Sequence, residues 1–152
     1  MAETEVFDIN QRYGLLAVDE PDRKAEVSAA LQELGFRVHV ASSTEDARER
    51  LRKTTYDIVV VDQAFQGGSP LDNPLLRLLQ GMPMTTRRYM LVALLGHDVK
   101  TLDNMTAFAL SVNVVIHYND VAQIRPILER AVGENDMFFR VIRSVLQESG
   151  KR

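Results

Sequence analysis

Residues 58–61 read Ile-Val-Val-Val, four β-branched side chains in a row, and the run ends on a carboxylate, Asp62. Branching at Cβ favours extended backbone, and a run that is apolar on both sides of the pleat needs cover on both faces. That pattern reads as an inner strand of a parallel sheet, over Tyr56–Asp62. Tyr13 to Val18 repeats it, running apolar into Asp19, and Phe36–Ala41, Tyr89–Leu95 and Val112–Tyr118 read as further strands. Helical spacing fills the gaps between them. After Glu20, Pro21 stands where a first helical residue tolerates it, Val27, Ala30, Leu31 and Leu34 follow at steps of three and four, and Gly35 supplies a left-handed stop. Ser43 or Thr44 caps a charged helix through Lys53, and Asn73-Pro74 opens a leucine-rich one that stops at Gly81. The spacing predicts a connector over Met82–Arg88, a helix over Thr101–Leu110, and a last helix capped by Asp120.

Strands alternating with helices predict an α/β fold, a doubly wound five-stranded parallel sheet with helices on both faces. In that architecture the functional crevice lies at the carboxyl ends of the strands. The 152 residues suit one domain, read here as a tail over 1–12, a sheet domain over 13–132 and a helical extension over 133–152. A formal charge of −3 argues against a nucleic-acid grip through phosphates, and the absence of Cys excludes disulfides, thiolate metal sites and cysteine nucleophiles. The acidic, polar start is no secretory signal and the apolar runs are too short for a bilayer, so a cytoplasmic protein with no membrane or nucleic-acid partner is expected.

The strand ends gather Asp19, Asp62, Leu95, Gly96, His97, His117 and Tyr118. Two carboxylates there could hold a divalent cation through hard oxygen ligands, or could simply cap the turns that follow. His97 and His117 lack the close spacing of a histidine metal site. The Gly67-Gly68-Ser69 loop has no following Lys, so it is not a phosphate-binding loop. Neither the dinucleotide G-x-G-x-x-G nor the hydrolase G-x-S-x-G occurs.

Leu15-Leu16-Ala17-Val18-Asp19-Glu20, Ala30-Leu31-Gln32-Glu33-Leu34-Gly35-Phe36-Arg37-Val38, Glu45-Asp46-Ala47 and Tyr56 to Asp62 together resemble the first half of a bacterial response-regulator receiver domain. The resemblance, by order and spacing over residues 13–132, implies the flavodoxin-like (CheY-like) receiver fold. It implies that Asp62 falls on the phospho-acceptor position served by a histidine kinase. It also implies that Asp19 belongs to the acidic pair for Mg²⁺, together with Glu20 if one residue is gapped.

The second half departs from that pattern. Leu95 stands where receivers carry Thr or Ser, and Tyr118, or His117 if shifted by one, stands where they carry Lys. Losing a charge-assisted bond to a phosphoryl dianion removes about 1.5–3 kcal/mol. The expectation is therefore a degenerate pseudo-receiver: not an enzyme, with no cofactor or only weakly bound Mg²⁺, signalling through protein–protein contacts. The alternative is an atypical working receiver that uses Asp62 and Mg²⁺ with a histidine kinase as partner. Beyond the expected domain, Met137, Phe138, Phe139, Val141, Ile142, Val145 and Leu146 are too many apolar residues for a solvated tail. Either this segment turns back at Gly133–Asp136 to cover its own domain, or it packs on a partner, with a homodimer as one form.

Overall fold

The computed structural model describes residues 11–68 and 72–148, apart from the side chains of 138–140, 142–144 and 146–148. In chain order the elements are β1 (Arg12–Ala17), α1 (Pro21–Glu33), β2 (Phe36–Val40), α2 (Thr44–Lys53), β3 (Ile58–Asp62) and α3 (Pro74–Gln80). There follow α4 (Met84–Arg87), β4 (Leu91–Gly96), α5 (Asn104–Ala109), β5 (Val114–His117) and α6 (Ile124–Glu148), with 3₁₀ turns at Phe65–Gly67 and Tyr118–Gln123. The strands form one sheet in the order β2-β1-β3-β4-β5, and every pairing is parallel. The expected doubly wound five-stranded sheet is present, with β3 at its centre.

The period of two along β3 divides the core. Val59 and Val61 join a cluster with Leu75, Leu76, Leu79 and Ala107, whereas Ile58 and Val60 join one with Val27, Leu31, Ile124 and Leu128. Helices α3 and α5 thus cover one face and α1 and α6 the other, which is why β3 has no polar residue before its last.

Several helix ends follow the local chemistry. Gly35, at φ +94, takes the left-handed position after α1. Ser43, rather than Thr44, caps α2 by accepting from Asp46 N at 3.0 Å. Buried Asn73 accepts from Leu76 N at 3.0 Å to cap α3 and donates Nδ2 to the carbonyls of Asp62 and Gln63 at 3.2 and 3.0 Å, pinning the end of β3.

Other boundaries differ from expectation. Tyr89 and Met90 close turns onto Thr86 and Arg87, so β4 starts at Leu91, and the expected connector holds the single turn α4. Leu102 has φ +66, which interrupts helix geometry, so α5 starts after Asp103, its cap. Asp120 does not cap α6; it accepts from the Thr101 hydroxyl, while His117 Nδ1 accepts from Asn119 N at 2.9 Å. Helix α6 runs through Gly133 without a break, so the chain does not turn back at Gly133–Asp136. Of the expected tail, residues 1–10 lie outside the described residues, and Arg12 already belongs to β1.

Candidate functional site

Asp62 is the last residue of β3 and, like Ile58 and Val60 before it, points to the face covered by α1 and α6. It is 1% exposed. A carboxylate there needs partners, and it has them on both oxygens. Oδ1 accepts from Ala64 N at 2.9 Å and from the Tyr118 hydroxyl. Oδ2 accepts from Arg23 Nε at 3.1 Å, with Arg23 Nη2 also at 3.1 Å. The Arg23 guanidinium lies 3.9 Å from the centre of the Tyr118 ring, so the cation is held by the carboxylate and the ring face together. Burial first, then the bond to Asp62 and that carboxylate's charge, push the Tyr118 phenol far above the ordinary tyrosine range. Tyr118 therefore stays a donor.

The expected metal residues are each engaged in hydrogen bonds. The Glu20 carboxylate caps α1, accepting from Asp22 N at 3.0 Å and Arg23 N at 2.9 Å, and those bonds hold its pKa below the usual carboxylate value. Asp19 is exposed and accepts from Gln66 N at 2.7 Å, fixing the left-handed Gln66 of the turn after β3. Among the described residues, no three His, Cys, Asp or Glu side chains gather where they could hold a metal ion. Mg²⁺ requires a near-octahedral oxygen shell. With a guanidinium already on Asp62 and both other carboxylates bonded to backbone amides, this donor set does not fit it while Arg23 stays in place.

Of the residues expected at switch positions, Leu95 lies opposite Asp62 in the sheet and is fully buried among Val60, Ala93 and Ile116. Tyr118 is the residue from the end of β5 that reaches Asp62, whereas His117 is turned to the backbone of Asn119.

Beside Asp62, Gln63 Nε2 donates to His97 Nδ1 at 2.7 Å and to Asp98 at 3.3 Å, and the His97 ring stacks on Tyr118 with centroids 6.0 Å apart. A Cβ on Gly96 would lie 2.1 Å from Gln63 Oε1, so the glycine is what lets this side chain lie down. Among the described residues, Gln63 Oε1 itself is buried and without a hydrogen-bond partner.

Arg23, Gln63 and Asn73 belong to the site and carried no motif. Arg23 did carry a signal, because a cation in the first turn of a helix opposes the macrodipole and calls for a nearby anion.

No protein-family model matches the sequence, and no curated protein matches it either. Solved structures do match. The receiver domain of the sensor histidine kinase PA1611 from Pseudomonas aeruginosa, with magnesium coordinated in its active-site cleft, superposes with TM-score 0.61 at 19% identity, over 81% of this chain and 98% of that one. A CheY-like receiver domain from Methylobacillus flagellatus gives TM-score 0.60 at 21% identity, over 80% and 99%. NtrX from Brucella abortus, in complex with ADP, gives TM-score 0.67 at 16% identity, over 93% of this chain and 30% of that one. At these identities the likeness establishes the fold, which is the CheY-like receiver fold.

Proposed function

We propose that this chain is a receiver-fold signalling module, not an enzyme, that acts through protein–protein contacts and has replaced the phosphoryl switch with an internal lock on its acceptor carboxylate. The observation that carries this reading is the filling of Asp62: one oxygen is taken by Tyr118 and Ala64, the other by Arg23. To accept a phosphoryl group, a carboxylate oxygen must approach phosphorus in line with the leaving group. Here Arg23 would have to leave Oδ2, or Tyr118 and Ala64 would have to leave Oδ1, before either oxygen could attack, and Leu95 offers no hydroxyl to the incoming oxygens. The exposed Met137, Val141 and Val145 on α6 extend the reading to association, with a second copy as the economical partner. Of the other four expected interaction residues, Phe138, Phe139, Ile142 and Leu146, the side chains lie outside the described residues.

One observation favours a second reading. Arg23 is a permanent cation beside Asp62, and a phosphoryl group on that carboxylate would want such a partner. Under this reading Asp62 is phosphorylated by a histidine kinase with Mg²⁺, and Arg23 moves to the phosphoryl oxygens. Incubation of the full chain with acetyl phosphate and Mg²⁺, followed by intact-mass measurement, separates the two. The lock predicts no added phosphoryl mass. An added phosphoryl group that is lost in Asp62→Ala would overturn it.

A further inference from the structure

A groove of about 420 Å³ opens at the amino-terminal ends of β4 and β5, the opposite end of the sheet from Asp62. Its walls are Met82, Met84, Phe108 and Val112, with Arg87 and Arg88 at the rim. Two of these apolar side chains are far more exposed than a monomer needs: Met84 at 69% and Phe108 at 84%. One turn before Phe108 on α5, Met105 is 77% exposed and continues the apolar surface beyond the groove.

The charges beside it are unbalanced. Eight other arginines pair with a carboxylate. Among the described residues Arg87, Arg88 and the exposed Arg37 of β2 have none. Arg87 is instead fixed by neutral acceptors: Nη1 donates to Met90 O at 3.1 Å and Asn113 Oδ1 at 3.3 Å, and Nη2 donates to Ser111 O at 2.6 Å. Ser111 sits at φ +58, a left-handed conformation unusual for a residue with a side chain, and its carbonyl is one of those acceptors. A guanidinium has five N–H groups, so two on Arg87 remain unspent. Burial alone draws the Arg87 pKa down, with no anion opposing it. A half-buried, immobilised cation on the edge of an apolar groove is an incomplete ion pair.

We propose that this groove docks an acidic, apolar segment of a partner protein, with an aliphatic or aromatic anchor between Met84 and Phe108 and an adjacent carboxylate on Arg87, beside Arg88. Charge complementarity selects the acidic partner, and the apolar surface running out to Met105 selects a polypeptide over a small carboxylate that would fill the cavity alone. The proposal rests on the reading of the chain as an interaction module. It uses no residue near Asp62, so the phosphodonor result and this one fail separately.

The test is fluorescence anisotropy of the full chain with a labelled synthetic peptide in which two Glu flank a Leu-Phe pair, alongside its Lys-for-Glu counterpart. Saturable binding of the acidic peptide is expected, weakened by added salt and about tenfold or more weaker in Arg87→Met and in Phe108→Ser. Phe108→Ser keeps the test decisive if loss of Arg87 disturbs the turn at Ser111, because an 84% exposed ring contributes little to folding. No binding, equal binding of the Lys peptide, or unchanged affinity in Phe108→Ser overturns the proposal. So does affinity that appears only when residues 1–10 are deleted, which would make the chain's own acidic start the occupant.

Discussion

Asp62 sits where its charge has to be met from inside the molecule, and Arg23 meets it from 39 residues away in sequence. Removing one partner of a buried pair costs more than the pair contributes, because the other charge is stranded. Arg23→Ala is therefore expected to lower stability by about 3 kcal/mol in urea unfolding, and Asp62→Asn in the same chain should recover most of the loss. Independent, additive losses would show that the two are not coupled. Tyr118 brings a pH dependence. Its folded pKa is raised, so the folded state holds this proton where the unfolded chain has begun to release it. The contribution is complete below about pH 10, the unfolded tyrosine value, and declines as pH rises from there. Tyr118→Phe should flatten the alkaline loss of stability, read by urea unfolding at several pH values, and an unchanged slope would contradict the placement. Leu95 is fully buried in an apolar cluster, so Leu95→Thr should cost about 1–3 kcal/mol through lost packing and a buried oxygen. The placement of Asp62, Leu95 and Tyr118 at strand ends was legible in the sequence because strand ends are. Arg23 carried only the signal of a cation in a first helical turn, and its partner could not be read because that depends on how α1 lies across the sheet.

At the scale of elements, the strands were the readable part, since a run such as Ile58–Val61 has few alternatives once it must be covered on both faces. Element ends were harder, because they depend on backbone turns that side-chain periodicity does not encode. Tyr89 and Met90 have strand-like side chains but are spent on turn hydrogen bonds, and Leu102 adopts a positive φ that no composition rule assigns to leucine. Gly133 is the reverse case. It looked like a place to bend and lies inside a continuous α6, where a Cβ would meet nothing within 4 Å. Its glycine therefore costs the helix conformational entropy without serving contact or geometry. Gly133→Ala should stabilise by about 0.5–1 kcal/mol, raising Tm by about 1–4 °C in a thermal scan. A fall in Tm would mean that the helix must flex at this point.

For the whole molecule, the strand order brings Asp62, Tyr118 and α1 together at one end of the sheet, and sequence order alone does not place β1 between β2 and β3. The fold leaves α6 in an unusual position. Its first turns pack Ile124 and Leu128 into the core, Arg12 pairs with Asp136 at 2.8 Å, and the helix then continues to Glu148. Over 25 residues it is about 37 Å long. Met137, Val141 and Val145 follow one another every four residues and, among the described residues, are 65, 57 and 56% exposed. Fully burying one such side chain contributes about 1.5–3 kcal/mol, which is ample reason for two copies to pair along this stripe. Light scattering of the full chain at micromolar concentration should give the mass of a dimer. A chain ending at Val132, and Val141→Glu in the full chain, should each give a monomer with little loss of domain stability. A full-length monomer whose truncation leaves the mass unchanged but lowers Tm would show that the segment covers its own domain.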